Sequence, residues 1–179
     1  IDPAKIEELL IKDSQNGHKV RAIVPVHIAG NVCNMEAIIA LAKKYSTKDV
    51  TIRVIEDAAH AIGSQYADGS YVGNCKYSDM TVFSFHPVKT ITTAEGGAVT
   101  TNSDELYQKL LMLRSHGVTK DEAILTKNPG PWYYEMHSLG FNYRMTDMQA
   151  ALGVTQLQKL DFFKKRRREV IAMYNKAFT

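Results

Sequence analysis

The sequence predicts a three-layer α/β/α domain with a mainly parallel sheet, and three features carry that expectation. Val20 to Val26, Thr51 to Ile55 and Met80 to Phe85 are short runs rich in β-branched and aromatic residues, the composition of buried strands. Between the first two, a helical pattern runs from a cap at Asn34 to Tyr45 with Ile38, Leu41 and Ala42 facing inward, giving one strand-helix-strand unit. Such crossovers are right-handed with parallel strands, so Val26-His27 and Glu56-Asp57 are expected on one edge. After the third strand, Pro87 stops the run, and Ala98 to Thr101 reads as a strand returning antiparallel.

The other elements follow in order. Asp2 caps a helix opened by Pro3, with Ile6, Leu9 and Leu10 on one face and Asn16-Gly17 at its end. Asp68-Gly69 and Gly73-Asn74 are turn signals, which make Gln65 to Tyr77 a surface excursion. Asn102 or Ser103, with Glu105, opens a helix that carries Leu106, Leu110, Leu111 and Leu113 as core residues and ends near His116-Gly117. Val118 to Met136 has no period, contains Asn128-Pro129-Gly130-Pro131 and Trp132-Tyr133-Tyr134, and reads as a long loop. Its aromatics are expected to cover a hydrophobic face or a subunit contact more than a ligand. Thr146-Asp147-Met148-Gln149 is a capping box for a helix through Leu157 that carries Met148, Ala151, Leu152 and Thr155. A basic helix follows to Tyr174, with Lys164 to Arg168 as its solvated face.

Composition narrows the function classes. The 179 residues, 45% hydrophobic, allow one domain with a sizeable core. With 22 basic against 19 acidic residues the net charge is only +3, too small a bias to argue for a nucleic-acid partner. Cys33 and Cys75 lack metal-ligand spacing and fit a reducing cytoplasm, and four histidines near the motifs have neither close pair spacing nor a cysteine partner, so no metal site is expected. The apolar runs fall short of the ~20 residues of a spanning helix, so no membrane role is expected.

The chemistry centres on Lys89, a lone lysine in a polar, glycine-bounded loop at the end of the third strand. A lone loop lysine is usually just solvated. What changes that reading is Asp57, an acid at the end of the preceding parallel strand. Carboxyl ends of neighbouring parallel strands share an edge, and a cofactor with a pyridinium nitrogen and an aldehyde fits between such a carboxylate and such an amine.

Four segments bear on this reading: Glu56-Asp57-Ala58-Ala59-His60-Ala61-Ile62-Gly63, Ser84-Phe85-His86-Pro87-Val88-Lys89, Glu95-Gly96-Gly97-Ala98 and Gly140-Phe141-Asn142-Tyr143-Arg144-Met145. Together they resemble the sugar aminotransferases of the DegT/DnrJ/EryC1/StrS family, pyridoxal-phosphate enzymes of fold type I. The resemblance implies pyridoxal 5'-phosphate as cofactor, joined covalently to Lys89. It implies that Asp57 keeps the ring nitrogen protonated and that Ser84 bonds the phosphate. His60 takes a position, often glutamine in relatives, that contacts the ring or its 3'-oxygen. Asn142 would reach the phosphate of a neighbouring subunit, so a homodimer with shared sites is expected. His27, His86 and Arg144 are the further substrate candidates, His27 being about as well read as a structural histidine.

The resemblance also implies that residues 1–160 are the central part of the large domain. On the same ground, residues 161–179 form a basic helix leading towards a C-terminal small domain, and the N-terminal Gly-Thr/Ser-Ala phosphate turn of relatives is not among these residues. The central stretch looks closest to members that aminate C4 of a UDP-linked 4-keto-6-deoxy-N-acetylhexosamine with glutamate, on the route to pseudaminic acid in surface or flagellar glycans. Two other readings remain: a 3-dehydratase, against which Lys89 argues because that class has histidine there, and a non-catalytic domain of the family. Arg144, Lys127, Trp132 and Tyr133 suit a diphosphate and a stacked base without choosing uridine over thymidine.

Overall fold

A computed structural model describes residues 1–178. It divides into two compact units, Ile1–Thr101 together with the chain from Asp147 onward, and Asn102–Thr146.

The first unit is built on one sheet of β1 (Ala22–Ile23), β2 (Arg53–Asp57), β3 (Met80–Ser84) and β4 (Gly97–Thr100), in that spatial order. The first three strands are parallel and β4 is antiparallel to β3, which is the expected α/β arrangement. The first strand is much shorter than the apolar run suggests. Pro25 has no N–H to donate, so the ladder stops at Ile23 and resumes only as a single bridge from Val26 to Asp57. The second strand lies two residues further on than expected and ends at Asp57 itself, which pairs with Val82. Its start is fixed by Asp79, whose carboxylate accepts from the Val54 N–H at 2.8 Å and from Arg53 at 2.7 Å.

Helices α1 (Pro3–Gln15) and α2 (Met35–Tyr45) pack on each other, and α2 also lies against β2. Both caps are those the sequence predicts: Asp2 accepts from the Ala4 N–H and Asn34 from the Ala37 N–H. Ile6, Leu10, Ile38, Ala42, Ile23 and Val54 form the centre of the core. Leu9, expected beside Ile6 and Leu10, is instead exposed, because the buried stripe follows the i, i+4 pair and Leu9 lies a turn-fraction away from it.

Helices α4 (Asp147–Leu157) and α5 (Leu160–Phe178) complete this unit. The apolar residues of α4 are open rather than inward: Met148 is 83% exposed, and only Gly153 of that helix is buried, against the Thr93 methyl. The basic run of α5 is not wholly a solvated face either. Lys164 donates to the Gly63 carbonyl at 2.6 Å, and Leu160 packs on Gly63.

The second unit holds α3 (Asp104–Arg114), capped by Ser103, and a hairpin of β5 (Val118–Thr119) with β6 (Glu135–Met136). The leucines of α3, expected as core, are half-buried or exposed, and none is fully enclosed. Helical spacing identifies the apolar face but not what covers it. The long loop read between Val118 and Met136 is closed by this hairpin, whose two-residue strands are too short to show a period. Glu135 organises it: the carboxylate accepts from the Thr126 N–H and hydroxyl, from Tyr133 at 3.0 Å, and pairs with His137 at 2.8 Å. Those bonds, the Thr126 pair foremost, hold its carboxyl down at about 2.

No helix among the described residues is long and apolar enough to cross a membrane.

Candidate active site

The site is set by register. Because β2 and β3 are parallel and Asp57 pairs with Val82, Asp57 and Ser84 end neighbouring strands on the same edge of the sheet. The chain then leaves β3 through a loop that is tightly anchored. The Phe85 N–H donates to Gly96 O, the Thr93 N–H and the Thr92 hydroxyl both donate to Phe85 O, and Ile91 and Thr93 are fully buried beneath it. Pro87 ends the strand, and the Lys89 N–H donates to His86 O at 3.0 Å, closing a turn that presents the lysine.

Lys89 is half-buried, and its Nζ lies 3.0 Å from Nε2 of His60. His60 stands three residues beyond Asp57 on the segment that leaves β2. The other ring nitrogen, Nδ1, accepts from the Ala29 N–H at 3.2 Å. The Asp57 carboxylate accepts from the Ala59 N–H at 3.0 Å through Oδ1, which fixes its rotamer, and Oδ2 has no protein partner among the described residues. Ser84 accepts from the His86 N–H, so its hydroxyl proton stays available. One edge of one sheet thus carries an amine, a carboxylate, an imidazole and a hydroxyl.

His27 is enclosed behind this edge. It is wholly buried, its Nε2 is 2.7 Å from Glu56 Oε2, and its Nδ1 accepts from the Cys33 N–H, so both nitrogens are used inside the fold. Its backbone holds Asp57, the His27 N–H donating to Asp57 O while the Asp57 N–H donates to Pro25 O. His86 is exposed on the Lys89 loop, 3.9 Å from Glu95. Asn142 and Arg144 belong to the second unit; both are exposed, and Asn142 is tied by its backbone bridge to Ser115.

Sequence reasoning missed the buried acid next to Asp57. Glu56 points to the opposite face of β2 and is fully enclosed, accepting from His27, from Tyr66 at 2.7 Å, from Thr81 at 2.9 Å and from Ser78. Burial pushes its carboxyl up, but these four donors outweigh that and hold it below the ordinary value of 4.5. Burial first, and the carboxylate next, push the Tyr66 phenol well up. The signal was available, since an acid at the alternate position of an otherwise apolar strand must be satisfied inside.

A lysine and a carboxylate on the carboxyl edge of neighbouring parallel strands define an α/β protein with a strand-end amine site. The chain belongs to the DegT/DnrJ/EryC1/StrS aminotransferase family, whose family model matches residues 1–179. It is 44% identical over 178 residues to the UDP-4-amino-4,6-dideoxy-N-acetyl-beta-L-altrosamine transaminase of Campylobacter jejuni, an alignment covering 99% of this chain and 42% of that protein. Among solved structures it is similar to Helicobacter pylori PseC, described as an aminotransferase of pseudoaminic acid biosynthesis, with a TM-score of 0.82 at 36% identity over 100% of this chain and 42% of that one. It also matches the PLP form of the sugar aminotransferase Spr1654 of Streptococcus pneumoniae, with a TM-score of 0.76 at 29% identity over 99% of this chain and 45% of that one. The chain therefore spans less than half the length of these relatives.

Proposed function

We propose that the protein carrying this chain is a pyridoxal-phosphate-dependent aminotransferase. Its substrates would be a UDP-linked 4-keto-6-deoxy-N-acetylhexosamine and glutamate, for surface or flagellar glycan synthesis. The observation that carries this reading is the placement of the Lys89 amine beside His60, on the sheet edge where Asp57 ends the next strand. The donor set fits the cofactor group by group: a primary amine for an aldehyde, a carboxylate with a free oxygen for a ring N–H, and a hydroxyl proton for a phosphate oxygen. When bound, pyridoxal phosphate supplies an electron sink for the bonds at the donor's α-carbon.

The protein's part is positioning and proton transfer. With the cofactor bound, Lys89 would hold it through its amine, and that amine, when free, would take up and return the proton of the donor's α-carbon, as base and then as acid. Asp57 holds the ring proton in place, which matters more as negative charge develops than in the ground state. Ser84 orients the phosphate. Asn142 and Arg144 serve a cofactor phosphate or a substrate, Asn142 across a homodimer contact. The open apolar residues of α4 and the exposed Trp132 and Tyr134 suit such a contact between copies. With a reducing, soluble setting implied by the nucleotide-sugar substrate, the cytoplasm is the compartment proposed.

An assay of the complete enzyme against UDP- and dTDP-4-ketosugars with glutamate, read by the mass of the sugar product, tests this. The proposal expects a C4-aminated UDP sugar. Amination at C3, or of dTDP sugars alone, overturns the substrate assignment, and a sugar that loses its 3-hydroxyl without gaining nitrogen overturns transamination.

A further inference from the structure

We propose that Gly153 and Thr93 are positioning residues for the Lys89 amine: helix α4 packs on the Thr93 methyl with no side chain of its own between them, and this contact sets where the Lys89 loop sits. The proposal rests on the reading of Lys89 as the group that bonds the cofactor.

Gly153 is a costly choice for its helix. In the interior of α4 an alanine would hold the helical conformation better than glycine does, yet glycine stands at the buried position of that helix. A Cβ there would meet Thr93 Cγ2 at 2.9 Å, where ordinary contact begins at 3.4 Å, so the two would have to part by roughly half an ångström. The methyl is not free to turn aside. Thr93 is fully buried, and its hydroxyl donates to Glu95 O at 2.7 Å, a bond that rotation of the side chain would break. The helix is backed as well. Gln158 and Lys159, which join α4 to α5, donate to Val154 O and Gln156 O, and α5 is fastened by the Lys164 bond to Gly63 O at 2.6 Å and by Leu160 against Gly63. A displacement therefore falls on the loop.

The loop passes it to the lysine. The Thr93 N–H donates to Phe85 O at 2.9 Å and the Phe85 N–H to Gly96 O at 2.9 Å, so Thr93 is tied to the residue at which β3 gives way to the Lys89 segment. Ala94, next to it, stands at φ 67°, a left-handed conformation that an alanine keeps only where its surroundings hold it. A full ångström of misplacement far from the chemistry costs about 10²-fold, so half of that is expected to cost roughly tenfold.

Three variants of the complete protein test this: Gly153→Ala, Thr93→Ser and the two combined. Serine keeps the bond to Glu95 O and gives up the methyl, so the combined variant only moves one methyl across the contact. In cofactor-free protein, the peptide spanning residues 85–96 is expected to exchange its amide hydrogens roughly fivefold faster in Gly153→Ala, the scale of one hydrogen bond. On mixing with pyridoxal phosphate, the visible absorbance of the adduct that borohydride fixes on Lys89 is expected to grow roughly tenfold more slowly in that variant. Both rates should return to within about twofold of the wild type in the combined variant. A merely structural contact would shift the urea midpoint and leave attachment to the folded protein unchanged, so attachment at the wild-type rate in Gly153→Ala overturns the proposal. A combined variant as slow as Gly153→Ala does the same. If Gly153→Ala does not fold alone, the combined variant carries the test: it is expected to fold and to attach at the wild-type rate, and its failure in either overturns the proposal. A wild type that forms no adduct on Lys89 overturns the reading of Lys89 together with the role given to this pair, whereas normal attachment in Gly153→Ala overturns only the latter.

Discussion

Nε2 of His27 lies 2.7 Å from Oε2 of Glu56, with both side chains wholly buried. This pair sits directly behind the strand end that carries Asp57, and His27 and Asp57 are joined by a backbone hydrogen bond. Removing the acid strands four donors at once. Glu56→Ala is expected to destabilise the protein by about 3–5 kcal/mol, as for other broken buried pairs, and Glu56→Gln by less, since the amide oxygen still accepts. Urea midpoints of the two variants check this.

The same carboxylate predicts an acid sensitivity. Its pKa is lower in the folded than in the unfolded chain, so its contribution is fully present above the ordinary value of 4.5. It is lost as pH falls through the lower folded value. Stability measured from pH 6 downward should therefore fall more steeply below that ordinary value in the wild type than in Glu56→Gln, where no carboxyl titrates.

Gly97 pairs with Ser84, and a Cβ there would meet Phe83 O at 2.6 Å, a backbone atom that can move only with the strand. Gly97→Ala is expected to cost about 1–3 kcal/mol by overpacking. It should also weaken pyridoxal-phosphate binding, because the displaced strand carries Ser84 and leads into the Lys89 loop. Fluorescence titration with the cofactor gives the second effect independently of the first.

In the second unit, Glu135 ties Thr126 to the hairpin. Its carboxyl titrates at about 2, so the Thr126 amide should stay protected from hydrogen exchange at pH 4, while in Glu135→Ala it should exchange freely.

Much of this arrangement was legible in the sequence because it depends on local chemistry. Caps at Asp2, Asn34 and Ser103 and the strand-stopping Pro87 act within a few residues of themselves, and the structure has them where the pattern puts them. The parallel pairing of the first two strands followed from the crossover rule. What was not legible depends on partners far along the chain. The hairpin of β5 with β6, the Lys164 bond to Gly63 and the exposure of the α3 and α4 apolar faces are set by tertiary contacts. Within the site, the positions of Asp57 and Lys89 on one edge followed from strand ends, and Ser84 came from the family resemblance. The Ala29 contact to His60 followed from neither, because nothing in Ile28-Ala29-Gly30 announces a left-handed alanine.

Lys89 and Asp57 divide the proposed chemistry between them, and their variants should fail differently. Lys89→Ala is expected to abolish transamination while still binding the cofactor reversibly through the phosphate and ring contacts. Asp57→Ala should keep the covalent attachment and lose about 10²-fold or more in turnover, the scale of a lost electrostatic stabiliser. Near-normal turnover in Lys89→Ala would remove the mechanism.

The most direct measurement is borohydride reduction of the complete protein after incubation with pyridoxal 5'-phosphate, followed by peptide mass spectrometry. The account predicts a visible absorbance that reduction abolishes and a stable cofactor adduct on the peptide containing Lys89, absent in Lys89→Ala. An adduct confined to other lysines, or none at all in the complete protein, would contradict it.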